Sequence, residues 1–129
     1  MILIAERDQN VRELQKYFLG QAGFDVWFVD DGAAALAKAQ VASPVLVVTE
    51  ILIPKIDGLS LCRRLREDPA TRAIPVIVFS ILAAAARASD AGANAFLRKP
   101  LVESTFLATV ENVIAAQPRV LMEQQWISK

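Results

Sequence analysis

Four polar side chains that could do chemistry together each stand at the end of a predicted strand. They are Glu6, which closes residues 2–6, Glu50 after 45–49, Ser80 after 75–79 and Lys99 after 94–98. If the strands are parallel, their carboxyl ends meet at one edge of a sheet, where open α/β folds place their ligand sites. Two carboxylates, a hydroxyl and an ammonium, joined by a divalent cation, are the groups that phosphoryl transfer to a carboxylate requires.

The strand before Glu50 is the clearest in the sequence. Residues 45–49 are Val-Leu-Val-Val-Thr, a short β-branched run between Pro44 and Pro54. Such a run is typical of a central strand that is buried on both faces of a parallel sheet. The carboxylate of Glu50 is therefore expected at the centre of the carboxyl edge.

Helical patterns separate the predicted strands, which are 2–6, 25–29, 45–49, 75–79 and 94–98. The first helix has Asp8 or Asn10 as its N-cap and Gly23 as its stop. The remaining helices are expected at 33–41, from Leu59 to near Asp68-Pro69 with Asp57 as its N-cap, within the alanine-rich 82–91, and at 103–117. Five β/α repeats predict an α/β fold with a doubly wound, five-stranded parallel sheet.

The composition limits the class of protein. The chain has 129 residues, which is enough for one domain, and 54% of them are hydrophobic. Fourteen basic residues balance 14 acidic ones, so no field of one sign is available to hold nucleic acid or an anionic membrane. The chain has no histidine, which excludes imidazole catalysis and a phosphohistidine relay within it.

The cysteine count and the hydropathy of the sequence indicate the cellular compartment of the protein. Cys62 is the single cysteine, so no internal disulfide can form. The apolar start, residues 1–5, is too short for a signal peptide, and no segment approaches the ~20 apolar residues of a membrane span. We therefore expect a cytoplasmic protein without a membrane anchor.

Taken together, these motifs resemble the receiver domain of bacterial two-component response regulators. Besides the four polar residues, the resemblance includes Pro54, Asp57-Gly58, Ile74-Pro75, Gly92-Ala93 and Lys99-Pro100. It implies a flavodoxin-like (βα)5 fold with strand order 2-1-3-4-5 and a cis bond before Pro100. It covers residues 1–117 and leaves 118–129 as a C-terminal tail, for which folding onto the domain and a role as a partner surface stay open.

The resemblance also assigns a role to each pocket residue. Glu50 stands at the position of the phosphoaccepting aspartate, and Phe96 at that of the switch aromatic. The family's magnesium ligands correspond to Glu6, Glu50 and the carbonyl of Leu52. The remaining pocket positions are Arg7 in the acidic pair after the first strand, Ser80 for the hydroxyl and Lys99 for the ammonium.

Two departures from the family's pattern determine the functional interpretation. Arg7 replaces a carboxylate with a permanent cation, and placing it ~5 Å from Mg²⁺ would cost on the order of 6 kcal/mol. Glu50 is longer than aspartate by about 1.5 Å, so its carboxylate extends toward Lys99. We expect Glu50 to pair with Lys99, and Arg7 to take the place of the metal. The alternative for Arg7 is a surface position.

Other pocket residues also have plain structural interpretations. The Ser80 hydroxyl could satisfy backbone groups at the end of its strand. Phe96, which lacks the phenolic oxygen of tyrosine, is favoured as a core aromatic rather than a switch.

The leading interpretation is a pseudo-receiver, a non-enzymatic signalling module that needs neither cofactor nor phosphorylation and acts through protein–protein contacts. Its partners would be a histidine kinase or a downstream signalling protein, with no direct nucleic-acid contact and with a homodimer left open. The alternative is a phosphoacceptor that uses Mg²⁺ and Glu50. A flavodoxin-like nucleotide-binding enzyme is disfavoured, because the loop after the first strand has no glycine and no P-loop pattern is present.

Overall fold

A computed structural model describes residues 1–117, in which five strands alternate with five helices. In chain order these are β1 (Ile2–Ala5), α1 (Gln9–Gln21), β2 (Val26–Val29), α2 (Gly32–Ala42), β3 (Leu46–Thr49), α3 (Gly58–Glu67), β4 (Val76–Ser80), α4 (Ala85–Asp90), β5 (Ala95–Arg98) and α5 (Glu103–Ala115). The predicted alternation is confirmed, and each strand boundary lies within one residue of its expected place.

The strands form one parallel sheet in the order β2-β1-β3-β4-β5, as the resemblance implied. β3 lies at the centre, and all four of its residues are buried. Because every strand runs in the same direction, the loops that follow β1, β3, β4 and β5 gather at one edge of the sheet. We call this the carboxyl edge and the opposite one the amino edge.

Alternate residues of the strands feed two separate hydrophobic cores. Leu3 and Val47 belong to the core that α2, α3 and α4 cover, while Ile4 and Val48 belong to the core under α1 and α5. A central strand whose four residues are all buried, three of them aliphatic, is what a sheet covered on both faces requires. The apolar run before Glu50 therefore fixes the position of its carboxylate.

The helix caps follow the sequence signals. Asp8 accepts hydrogen bonds from two N–H groups of the first turn of α1, and Asp57 does the same for α3. Gly23, which follows the end of α1, has a φ of 91°, a left-handed conformation that glycine adopts without strain. The predicted caps Asp8 and Asp57 and the predicted stop at Gly23 are confirmed.

Some helix boundaries differ from the predictions. α5 ends at Ala115 rather than at residue 117, and α2 extends one residue beyond the predicted range at each end. α4 is a single short helix of six residues, with no side chain capping its start. Without a polar N-cap and with only alanine side chains on its buried side, little local interaction extends this helix.

The predicted tail, residues 118–129, lies outside the described residues. Within the described part, none of the helices is long and apolar enough to cross a bilayer.

The loop between β3 and α3 is held by close backbone contacts. The N–H of Gly58 donates to the carbonyl of Ile51 at 2.9 Å, and the N–H of Gly32 donates to that of Pro54 at 3.1 Å. A side chain on Gly58 would overlap the carbonyl oxygen of Glu50, which belongs to the backbone and has no free rotation. Glycine at this position therefore allows α3 to start directly against the loop that carries Glu50.

Replacing Gly58 by alanine is expected to lower the free energy of unfolding by about 1–3 kcal/mol, because the backbone of Glu50 must move. Gly20→Ala is the matched control, since a Cβ at Gly20 meets no atom within 4 Å. In a helix that control should gain up to about 1 kcal/mol. Urea denaturation of both variants measures the difference, and equal stability of the two would contradict the contact.

The short α4 should open more easily than the sheet. Backbone amides across 83–91 are expected to exchange with solvent about tenfold or more faster than those of β3, because few large apolar groups anchor this segment. Hydrogen exchange followed by NMR measures both rates in one sample. Protection of 83–91 equal to that of β3 would show that α4 is as firmly packed as the core.

Candidate functional site

The structure brings the four predicted polar residues together at the carboxyl edge. Glu6 and Glu50 directly follow β1 and β3, Ser80 is the last residue of β4, and Lys99 directly follows β5. The bond between Lys99 and Pro100 is cis, as the resemblance implied.

The ammonium of Lys99 lies between the two carboxylates. Its Nζ is 2.9 Å and 3.1 Å from the oxygens of Glu6 and 3.1 Å from Oε2 of Glu50. Glu6 and Glu50 are only 3% and 6% exposed, so water screens these pairs weakly. The predicted pairing of Glu50 with Lys99 is confirmed, and one lysine serves two buried acids.

Three backbone N–H groups and one hydroxyl complete the surroundings of Glu50. Its Oε1 accepts hydrogen bonds from the Ser80 hydroxyl, from the N–H of Ile51 at 2.7 Å and from that of Leu52 at 3.3 Å. Its Oε2 accepts from the N–H of Ile81 at 3.4 Å, in addition to the lysine. Five donors thus surround this one carboxylate.

The pKa of Glu50 is lowered and the pKa of Lys99 is raised, and both shifts favour the charged form. Burial acts to raise the pKa of Glu50, but the hydrogen bonds from Ser80, Lys99 and Ile51 outweigh it and leave that pKa below its usual 4.5. Burial likewise acts to lower the pKa of Lys99, and the hydrogen bonds to Glu6 and Glu50 raise it above its usual 10.5. The pair is therefore ionised throughout the neutral range.

Arg7 does not join this site. It is exposed, and within residues 1–117 its side chain makes neither a hydrogen bond nor an ion pair. The expectation that Arg7 would stand in for the metal beside Glu50 is wrong in this structure. The preceding residue, Glu6, turns into the pocket and also accepts the N–H of Asp8, whereas Arg7 keeps its strongly favourable hydration at the surface.

Phe96, Leu52 and Ser80 differ in how far they are buried and in how they contact the site. Phe96 is half-buried and packs against the core under α2, α3 and α4, in agreement with the favoured structural interpretation. The Leu52 side chain is 60% exposed, and its contact with Glu50 is made by the backbone N–H. Ser80 is fully buried and bonds to Glu50, in addition to accepting the N–H of Leu82.

Some residues that shape the site could not be identified from the sequence. The N–H groups of Ile51 and Ile81 contact Glu50, and nothing in their side-chain types indicates it. Arg12 donates to the carbonyl of Glu6, to that of Val29 at 2.9 Å and to Asp30 at 2.6 Å. It thereby fixes the backbone that carries Glu6, although an arginine in the first turns of an amphipathic helix normally indicates a solvated position.

The donor set does not fit a magnesium ion in this arrangement. Mg²⁺ needs oxygen ligands in octahedral geometry, whereas here an ammonium occupies the space between Glu6 and Glu50. In the described part of the chain, no cluster of three acidic, histidine or cysteine side chains could hold a metal ion.

A family model and curated relatives both match this chain to one family. The family model for the response regulator receiver domain matches residues 2–111. The DNA-binding dual master transcriptional regulator RpaA of Synechocystis is 33% identical over 122 residues, which are 92% of this chain and 51% of that protein. The alkaline phosphatase synthesis transcriptional regulatory protein PhoP of Bacillus subtilis is 28% identical over 121 residues, 88% of this chain and 48% of its own.

Solved structures agree with the fold. The signal receiver domain of a signal transduction histidine kinase from Syntrophus aciditrophicus superposes with a TM-score of 0.84 at 30% identity, covering 92% of each chain. A sensor protein from Polaromonas gives a TM-score of 0.82 at 27% identity, covering 91% of this chain and 97% of its own. The chain spans about half the length of the two curated relatives above.

The lowered pKa of Glu50 predicts a pH-dependent contribution to stability. That contribution is present above pH 4.5, the usual pKa of the group, and is lost as the pH falls through the lower folded-state pKa. Glu50→Gln should therefore lower the free energy of unfolding by about 1–3 kcal/mol at neutral pH, and the gap should narrow below pH 4.5. Urea denaturation from neutral to acid pH measures it.

Exposed Glu13 provides the control, since Glu13→Gln removes a carboxylate that makes no ion pair or side-chain hydrogen bond in the described residues. This variant should follow the wild type at every pH. A difference between Glu50→Gln and wild type that stays constant with pH would mean that the charge of Glu50 contributes nothing to folding.

Proposed function

Because the chain belongs to the response regulator receiver domain family, we propose that it is a receiver that acts through protein–protein contacts without being phosphorylated. The observation on which the proposal rests is that the Glu50 carboxylate is already surrounded by hydrogen-bond donors. Its carboxylate already accepts hydrogen bonds from the hydroxyl of Ser80, the ammonium of Lys99 and three backbone N–H groups.

Phosphorylation would need these same donors. A phosphoryl group on a carboxylate brings three oxygens and close to two negative charges, which a receiver site must stabilise by hydrogen bonds and a cation. In this chain Ser80 and Lys99, the residues that the family pattern assigns to that task, are bonded to the side chain that would be modified. The extra carbon of Glu50 supports this view, since it brings a charged carboxylate to these donors without any transfer of phosphate.

The charge balance of the pocket also supports a receiver that is not phosphorylated. Lys99 is shared by Glu6 and Glu50, so a further dianionic group would have to be stabilised by an ammonium that is already engaged twice. Arg7, which stands where the family has an acid, leaves one carboxylate fewer for a metal ion. Both features weaken the case for a magnesium-dependent reaction.

A module of this kind would act by binding protein partners. A histidine kinase or a downstream signalling protein would bind the surface that Glu50 holds in one conformation, and a homodimer is compatible with the same role. Direct contact with nucleic acid is not part of the proposal, because basic and acidic residues balance at 14 each. The DNA-binding relative RpaA is about twice as long as the matched region.

A phosphoacceptor that uses Mg²⁺ and Glu50 is the second candidate. The burial of Glu6 and Glu50 in one site favours it, because two carboxylates are what a magnesium ion usually takes from a protein. For this reaction the Lys99 ammonium would have to leave the space between the two acids.

A phosphodonor assay separates the two candidates. The protein is incubated with acetyl phosphate and Mg²⁺, and intact mass is measured alongside NMR spectra with beryllofluoride and Mg²⁺. We expect no phosphoryl adduct and no shift of the Ser80, Ile81 and Lys99 amides, since the donors around Glu50 are already engaged.

The matched control restores the family pattern. The double variant Glu50→Asp with Arg7→Asp shortens the acceptor and returns the missing acid, so it should gain an acid-stable, hydroxylamine-sensitive adduct under the same conditions. An adduct on Glu50 of the unaltered chain would establish the second candidate instead.

A further inference from the structure

A cleft lined by basic and neutral residues lies at the amino edge, the end of the sheet opposite Glu50. It is a cleft of about 300 Å³, at the lower end of the range for small-molecule sites. Arg66 comes from the last turn of α3, Pro75 precedes β4, Asn94 precedes β5, and Gln117 follows α5. We call it the amino-edge cleft, and its properties do not depend on the proposed function.

The guanidinium of Arg66 is fixed in one orientation at this cleft. It donates to the carbonyls of Gly92, Arg72 and Ile74 at 2.9, 3.1 and 2.6 Å, and to the side-chain oxygen of Asn94 at 2.7 Å. The same Asn94 oxygen accepts the N–H that starts β4, so the network joins α3 to two strands. Four of the five N–H groups of Arg66 are thus engaged, and every acceptor is neutral.

This leaves a local excess of positive charge. Neither Arg66 nor Arg72, which also lines the cleft, lies within 4 Å of a carboxylate of residues 1–117, and none of the residues lining the cleft is acidic. By contrast, Arg12 pairs with Asp30, and Lys99 has two acids. Within residues 1–117 the positive charges of Arg66 and Arg72 are therefore not balanced by a carboxylate, and an anion in the cleft would supply that balance.

We propose that the amino-edge cleft binds a small phosphate monoester. Two guanidinium groups match the two charges of that dianion, and the planar fork of Arg72, whose side chain makes no hydrogen bond within residues 1–117, suits phosphate oxygens. Arg66 presents a preoriented charge with one N–H that has no acceptor within residues 1–117. The Arg72 side chain is exposed and makes no hydrogen bond within those residues, so it can turn toward the ligand. The cleft has room for the phosphate and a small organic group.

The experiment titrates the ¹⁵N-labelled full chain, including residues 118–129, with two probes, inorganic phosphate and ribose 5-phosphate. Sodium chloride at equal ionic strength is run in parallel. We expect saturable shifts of the Gly92 and Asn94 amides and of the Arg66 Nε–H, with no shift around Glu50. Tighter binding of ribose 5-phosphate supports recognition of the organic group as well. Equal affinity for both probes supports recognition of phosphate alone.

Two variants test the assignment to Arg72. Arg72→Ala should weaken binding about tenfold, because a charge-assisted pair is lost. Its side chain makes no hydrogen bond within residues 1–117, so the fold should persist. Arg72→Lys keeps the charge without the fork and should lose less. Arg64→Ala, an exposed arginine of α3 outside the cleft, should change nothing.

Three results would overturn the proposal. One is a set of linear shifts that match those in sodium chloride, which would mean ionic-strength effects only. Another is equal weakening by Arg72→Ala and Arg64→Ala, which would mean attraction to surface charge in general. The third is saturable binding whose shifts centre on Glu50 and Lys99 rather than on the cleft.

Discussion

A single ammonium between two buried carboxylates is the constraint on which the carboxyl edge depends. Lys99 extends from the end of β5 to Glu6 after β1 and Glu50 after β3, so one side chain joins three strands. Two carboxylates with so little exposure repel each other and have lost most of their hydration, and without the lysine nothing of opposite charge would offset either cost. The cation offsets the repulsion between them. Because β3 is buried along its whole length, it holds Glu50 at the centre of the carboxyl edge.

Around this pair, one carboxylate fixes the conformation of two loops. Glu50 accepts N–H groups from Ile51 and Leu52 in the loop after β3 and from Ile81 in the loop after β4. An aspartate, shorter by about 1.5 Å, would hold its oxygens further from the N–H of Ile81 and from Lys99. In this structure Glu50 therefore links the loop after β3 to the loop after β4.

The sequence predicted the framework because strands and caps depend on local patterns. Apolar runs located all five strands, and Asp8 and Asp57 cap their helices because a short acidic side chain can reach the first N–H groups. The direction of Arg7 was not predictable in this way, since a loop residue follows no periodicity. The donors of Ile51 and Ile81 belong to the backbone, which side-chain types do not describe. The four acceptors of Arg66 come from two separate segments, 72–74 and 92–94.

The two edges of the sheet handle charge by different means. At the carboxyl edge the lysine is paired with two buried acids. At the amino edge Arg66 is oriented by the carbonyl groups of Gly92, Arg72 and Ile74, whose dipoles hold the guanidinium in place without cancelling its charge. An arginine held in this way is preorganised, because it loses no further side-chain freedom when an anion binds. β4 and β5 run between the two edges. The same strands therefore carry a lysine paired with acids at one end and, within residues 1–117, an arginine without a carboxylate partner at the other.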